Sequence, residues 1–304
     1  MKNRLFLAFA VTLIFISNSV VFGQKRDLKL QEKLELLTAS FEGEVGIYVI
    51  NLKTNRVASI NQKETFPTAS MVKVPIMVGV FEKITKGELK YDSVLTYSEA
   101  IKYDDGITGS LKDGSKVPLA EVIWLMETLS DNTASLWLQG IVGGENINNL
   151  MDSLNLNSIK VNSRTPGRKS DWEKYGWGQT NPEDMAMLLV KIRNQGMFSK
   201  AASNRMYRTL GNQFWDGEGL SQIPESVKFA CKTGAVDASR SEVALIHAPH
   251  GEYAYCVVTK NQKDISWERG NAGYELIRNV AAVLWRHFEP KSAWKPTKDY
   301  DKWY

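Results

Sequence analysis

The chain has 304 residues, 24% charged and 43% apolar, with no low-complexity or Pro/Gly-rich stretch, which excludes collagen-like, coiled-coil and disordered chains and leaves a folded globular protein. Thirty-eight Lys plus Arg against 34 Asp plus Glu give a formal charge of +4, too small and too evenly spread to make nucleic acid the main partner. The length suits one large domain or two lobes sharing a core, with ample chain for a deep site.

Lys2 and Arg4 precede the apolar run Leu5 to Ile16, and polar Ser17-Asn18-Ser19 leads to Val21-Phe22-Gly23-Gln24. This is the layout of a secretory signal peptide cut after Gly23, and the run is short for a bilayer span. Export to the periplasm or the exterior is expected. No Cys follows the run to carry a lipid anchor.

In chain order, Asp27 to Phe41 reads as an amphipathic helix through Leu28, Leu30, Leu34, Leu36 and Leu37. Glu44 to Leu52 and Val57 to Ile60 are β-rich and flank the polar turn Lys53 to Arg56, a hairpin pattern. Apolar residues then recur at helical spacing in Val72 to Ile84, Leu119 to Leu129, Ala134 to Ile141, Ile147 to Leu154 and Pro182 to Ile192, the last opened by an Asn181 cap and a first-turn Pro. Strands return at Val227 to Lys232, Glu242 to Ala248 and Tyr253 to Thr259, closed by the helix Ala272 to Arg286. The order predicts a two-lobed α/β (α+β) fold: an antiparallel five-stranded sheet drawn from both chain ends (24–64 and 215–290), with the terminal helices on one face and an all-helical lobe (65–214) on the other. The tail 291–304 is expected to be irregular, packed by Trp294, Trp303 or Tyr304.

Cys231 and Cys256 fall on strands separated by a third, about 9 to 10 Å apart, beyond disulfide reach. Two buried thiols that serve packing are expected. His247 and His250 flank a turn and His287 ends a helix. A zinc site needs three or four converging ligands, so no metal is expected.

The chemistry gathers at three short motifs. Ser70-Met-Val-Lys73 opens the most apolar helix, where residues three apart share a face, so Ser70 Oγ and Lys73 Nζ meet. Burial lowers a lysine's pKa, as a general base requires, and a helix N-terminus offers N–H groups to an oxyanion. Ser-x-x-Lys alone is weak: roughly one match per chain of this length arises by chance, and Ser292-Ala-Trp-Lys295 in the tail is such a match. Company singles out the first. Ser130-Asp131-Asn132 lies at a turn between helices, and Lys232-Thr233-Gly234 lies on a strand beside a Gly that admits a ligand.

On these three motifs the chain resembles the penicillin-recognising serine enzymes, specifically the class A β-lactamase group. Phe66-Pro67, Asp131-Asn132-Thr133-Ala134, Gly143-Gly144, Pro182-Glu-Asp-Met-Ala186 and Ser239-Arg240 extend the resemblance over the chain from Gln24 to the tail. The resemblance implies Ser70 as acylated nucleophile, Lys73 as its proton acceptor and Ser130 as relay to the leaving nitrogen. It implies that Asn132 binds the substrate's side-chain amide, that Lys232 and Thr233, helped by Arg240, hold its carboxylate, and that the N–H groups of Ser70 and Ala235, beside Gly234, form the oxyanion hole. It further implies a monomer without cofactor, acting on a β-lactam or a peptidoglycan-like amide or ester. With no His near a motif, a Ser-His-Asp triad is excluded.

One departure stands out. The class A pattern places a deacylating Glu in the loop before Pro182, whereas Asn162 to Thr180 has Pro166 near that place and no Glu occurs between Glu145 and Glu173. Loss of a positioned base costs about 10² to 10⁴ in rate, so deacylation slows unless Asp171 or Glu173 substitutes. Trp172, Tyr175 and Trp177 either wall the pocket or pin the loop to the helical lobe. The alternatives to β-lactam hydrolysis are a D-Ala-D-Ala peptidase or esterase and a covalent β-lactam binder.

Overall fold

The computed structural model describes residues 24–195 and 197–296. The signal-peptide expectation and the roles of Trp303 and Tyr304 lie outside the described residues. The strands are β1 (Lys25–Arg26), β2 (Glu44–Asn51), β3 (Arg56–Ile60), β4 (Phe66–Pro67), β5 (Val94–Thr96), β6 (Lys116–Pro118), β7 (Lys160–Val161), β8 (Gly178–Thr180), β9 (Phe229–Val236), β10 (Ser239–Ile246) and β11 (Tyr253–Lys260). The helices are α1 (Leu28–Thr38), α2 (Lys73–Thr85), α3 (Leu119–Thr128), α4 (Asn132–Val142), α5 (Gly144–Ser153), α6 (Lys169–Tyr175), α7 (Pro182–Arg193), α8 (Lys200–Leu210) and α9 (Ala272–Phe288).

The main sheet runs β1-β3-β2-β11-β10-β9, joining both chain ends. Five strands pair antiparallel as the sequence implies, but β1 adds a sixth at the edge, parallel to β3 with Lys25 opposite Arg56. Two exposed basic residues carry no alternation, so no sequence pattern marks it. β10 is buried at every position, because both faces of the sheet are covered. Leu30 and Leu34 of α1 and Ile277, Val280 and Leu284 of α9 fill one face. The apolar sides of α2, α3, α4 and α7 fill the other. Trp294 packs against the first of these clusters, its ring edge-on to Trp285.

Cys231 lies opposite Ala244 and Cys256 opposite Val243 on the two sides of β10. Neighbouring residues of one strand face opposite ways, so the thiols sit in different core clusters, both buried and unbridged.

The Asn181 cap of α7 is realised, and Asp27 and Asp131 likewise cap α1 and α4. The short strands of the two small sheets, β4-β8-β7 and β5-β6, carry no sequence signal of their own, and three helical segments depart from the sequence reading. The segment Ala69–Val72 is a 3₁₀ turn, so α2 begins only at Lys73. The loop 162–180 contains α6, a helix with no buried residue and hence no apolar stripe to reveal it. Helix α8 is one-sided but poor in large apolar residues: it buries Ala202, Ser203 and Thr209 beside Met206 and Leu210, so its buried face does not stand out as an apolar run.

Candidate active site

Ser70 sits in the 3₁₀ turn and Lys73 starts α2. Ala69 holds φ at +44°, a left-handed conformation uncommon outside Gly and fixed here by tertiary contacts. One such contact is the Ser241 hydroxyl donating to the Thr68 carbonyl at 3.2 Å.

Lys73 is fully buried. Its Nζ lies 2.9 Å from Ser70 Oγ, 3.0 Å from Ser130 Oγ, 2.7 Å from the Ser130 carbonyl and 2.8 Å from Asn132 Oδ1. Burial, helped by the nearby Lys232 charge, holds the amine well below the ordinary lysine range, against the pull of Glu127, Asp131 and Asp104. A lysine whose amine gives up its proton more readily than usual, set beside a hydroxyl, is equipped to take that hydroxyl's proton.

Ser130 also has left-handed backbone, φ +60°. Its hydroxyl lies between the two lysines, with Lys232 Nζ donating to Oγ at 3.2 Å. Lys232 is buried on β9, and burial pushes its amine down as well, while Glu127 pulls it back up. Thr233 follows, its carbonyl accepting from Lys232 Nζ at 3.0 Å. Gly234 then passes directly over the 3₁₀ turn that holds Ser70. A Cβ there would stand 2.7 Å from the Thr68 carbonyl and 2.8 Å from Ser70 N, so only Gly lets β9 bring Ala235 beside Ser70.

Asn132 is fixed at both ends, Oδ1 on Lys73 and Nδ2 donating to Asp104 at 2.8 Å. Asp131 accepts from Ala134 N and from Thr108 N at 2.8 and 2.9 Å, tying the 104–108 segment to the start of α4. Asp104 was not singled out in the sequence, where it reads as one of two adjacent loop carboxylates. Glu127 was also missed. It is fully buried near both lysines, and desolvation pushes its carboxyl up to about 7. Its signal was available, since Glu127 follows Ile123 by four residues on the apolar stripe of α3.

Of these residues Ser70, Asn132 and Ala235 line a cleft of about 750 Å³, together with Tyr103, Tyr175, Trp177 and Trp267 among others, within the usual range for small-molecule sites; Lys73, Ser130, Lys232 and Thr233 lie behind its wall. Tyr175 and Trp177 thus wall it, whereas half-exposed Trp172 lines a neighbouring cavity. Tyr103 and Trp177 meet edge-on at 4.9 Å and line both.

Three residues proposed from the sequence stand elsewhere. Arg240 is fully buried, and its guanidinium donates to the carbonyls of Val236, Ser239 and Ser266 and lies 4.6 Å from the Trp267 and Tyr274 rings. Its two terminal nitrogens are held by the β9–β10 turn and by Ser266, and it does not line the cleft. Asp171 pairs with Arg168 at 3.0 Å, and Glu173 approaches Lys169 at 3.9 Å on the exposed side of α6. Neither lines the cleft. The loop holding them is tied back through Arg168 Nε to Asn162 Oδ1 at 2.8 Å, and through the Gln139 amide donating to the Ser163 carbonyl.

Residues 29–288 match the family described as Beta-lactamase enzyme family. The chain belongs to that family. Among curated relatives of this β-lactamase-family protein, β-lactamase VEB-1 of Pseudomonas aeruginosa is 20% identical over 291 residues, spanning 91% of this chain and 96% of that one. Among solved structures, a mutant of PBP-A in acyl-enzyme complex with penicillin G aligns at a TM-score of 0.78 and 24% identity, over 88% of this chain and 98% of that one. A β-lactamase from Chitinophaga pinensis aligns at 0.77 and 20%, over 85% and 99%. At these identities the structural likeness speaks for the fold.

Proposed function

We propose that the protein is an exported serine hydrolase that opens β-lactam amides through an acyl-enzyme on Ser70. The observation that carries this is the fully buried Lys73 amine 2.9 Å from Ser70 Oγ. In this reading Lys73 takes the Ser70 proton as Oγ attacks the β-lactam carbonyl. The N–H groups of Ser70 and Ala235 stabilise the oxyanion. As the C–N bond breaks, Ser130 protonates the leaving nitrogen and is reprotonated from Lys73. Lys232 and Thr233 bind the substrate carboxylate, and Asn132 its side-chain amide. The relatives named β-lactamase and the penicillin G acyl-enzyme of PBP-A support this substrate class.

The outward placement of Asp171 and Glu173 favours a second reading for the later step. No carboxylate of the 162–180 loop lines the cleft, so Lys73 is left to activate the deacylating water and the acyl-enzyme is long-lived. The protein then behaves as a slow β-lactamase or a covalent β-lactam binder. Intact-mass time courses of residues 24–304 with penicillin G and with a cephalosporin, beside Ser70→Ala, separate the outcomes. A Ser70-dependent adduct is expected. Its decay to ring-opened product within seconds indicates an efficient β-lactamase, persistence over minutes indicates the slow path, and an adduct surviving Ser70→Ala refutes the nucleophile assignment.

A further inference from the structure

Leu129, Ser130 and Asp131 join the end of α3 to the start of α4, and the middle residue carries φ +60°. A residue other than Gly keeps such a backbone only where its surroundings over-determine it. The two peptide planes that meet at Ser130 set its φ and ψ, and each is pinned through its carbonyl. The Ser130 carbonyl accepts from Lys73 Nζ at 2.7 Å. The carbonyl of the preceding plane, that of Leu129, accepts from the indole Nε1 of Trp215 at 3.0 Å. Next to it, Phe214 N donates to the Thr128 carbonyl at 3.1 Å. The 214–215 segment thus meets two carbonyls that the end of α3 leaves without helical partners. Packing alone does not account for the indole. Trp215 is 53% exposed, its ring meets the equally exposed Phe214 edge-on at 5.1 Å, and neither ring lines the cleft.

We propose that Trp215 is a positioning residue for acylation: by holding the Leu129 carbonyl, its indole N–H keeps Ser130 in the left-handed backbone and the Ser130 hydroxyl between Lys73 and Lys232. The inference rests on the reading of Ser130 as proton donor given above. In that step the bond from Ser70 Oγ to the acyl carbon forms and the ring C–N bond breaks. The nitrogen takes the Ser130 proton, and Lys73 returns the proton it took from Ser70. With the Leu129 carbonyl released, its plane can turn toward the backbone regions that serine prefers. The Ser130 Oγ then leaves its place 3.0 Å from Lys73 Nζ and 3.2 Å from Lys232 Nζ. The Ser70–Lys73 contact at 2.9 Å lies within one turn of chain and does not depend on that plane.

The test uses Trp215→Phe, which removes the N–H and keeps a ring beside Phe214, with two Ser70-directed probes under single-turnover conditions. Penicillin G expels a nitrogen that must be protonated, whereas an alkyl fluorophosphonate expels fluoride, which leaves as the anion while Oγ bonds phosphorus. The variant is expected to fold, since half of the side chain lies in solvent. Its limiting acylation rate with penicillin G should fall about tenfold or more at an unchanged half-saturating concentration, while fluorophosphonate labelling stays within about threefold. Ser130→Gly, which suits φ +60°, should show the same selective loss on a larger scale. Adding Trp215→Phe to it should cost nothing further, because both changes act through one hydroxyl. Phe214→Leu, which leaves the indole bond in place, should be acylated like the wild type. Equal losses with the two probes, no loss with either, a loss in half-saturation alone, additive losses in the double variant, a matching loss in Phe214→Leu, or failure of Trp215→Phe to fold overturns the inference. If Ser130→Gly slows penicillin G and Trp215→Phe does not, this inference fails and the role of Ser130 stands. If Ser130→Gly is acylated at the wild-type rate, the proton-donor reading fails and this inference with it.

Discussion

Substituting Gly234 by Ala tests how closely β9 must pass the nucleophile. The new methyl carbon would stand 2.6 Å from Ser241 Oγ, 2.7 Å from the Thr68 carbonyl and 2.8 Å from Ser70 N, where ordinary contact begins at 3.4 Å. The Ser241 hydroxyl can turn away, but the other two atoms are backbone, so strand and turn must separate by about 0.7 Å to restore contact distance to both. That separation moves the Ala235 N–H relative to the Ser70 N–H, and an oxyanion hole with one donor misplaced loses about 10² to 10³ in rate. Overpacking of this kind costs about 1–3 kcal/mol of stability. Gly234→Ala should therefore remain folded with a lower Tm, and its acylation by penicillin G under single-turnover conditions should slow by about 10² or more. The loss should fall mainly on the limiting acylation rate, because the clash lies between Gly234 and the Thr68–Ser70 backbone and Asn132, on α4, keeps its place. A folded variant acylated within about threefold of the wild-type rate would refute the argument that the close approach serves the oxyanion.

Two further outcomes follow from buried groups away from the cleft. Desolvation raises the Glu242 carboxyl to about 7 although Tyr255 Oη donates to it at 2.5 Å and Gly219 N at 2.9 Å. The folded state thus holds that proton more tightly than the unfolded chain, and stability contributed by Glu242 is full below pH about 4.5 and is lost as pH rises to about 7, by roughly 3 kcal/mol. Glu242→Gln should flatten that part of the stability–pH curve in urea titrations, and an unchanged slope would contradict the assignment. Because burial pushes both thiols up, neither Cys231 nor Cys256 should react with a disulfide reagent until the protein is denatured. Labelling within minutes of mixing under native conditions would show that the sheet opens or is ordered differently.

The sequence disclosed the site where its information is local. Ser70 and Lys73 share one turn of chain, Lys232, Thr233 and Gly234 are contiguous, and the caps Asp131 and Asn181 act within three residues. Strands β2, β10 and β11 were legible because each is a short run of β-branched, aromatic and other apolar residues, the composition that a strand covered on both faces requires. What the sequence hid depends on long-range placement. Arg240 follows Lys-Thr-Gly closely enough to suggest a shared task, yet its strand position opposite Ala235 sends the guanidinium to the carbonyls of the β9–β10 turn and of Ser266. Asp171 and Glu173 were plausible bases until α6 formed, since a short helix paired Asp171 with Arg168 and Glu173 with Lys169 along its surface. Glu127 was hidden differently: its identity was plain, but only the packing of α3 against α2 and α4 shows that its carboxylate is buried without a hydrogen-bond partner among the described residues.

The sheet drawn from both chain ends has a consequence for when the protein becomes active. Ser70 and Lys73 can adopt their local geometry early, but the Thr68 carbonyl is bound by Ser241, 173 positions later, and Ser130 by Lys232, 102 positions later. Contacts of such separation form late in folding because their loop-closure entropy must be met first. On the proposed mechanism, a chain emerging in order therefore carries Ser70 and Lys73 for most of its synthesis without the Ala235 N–H or the Lys232 amine that they would work with. Reactivity appears only when β9 and β10 dock between β11 and the nucleophile turn, so acylation by a β-lactam would report completed assembly of the whole domain, and a chain truncated before Lys232 would be chemically silent.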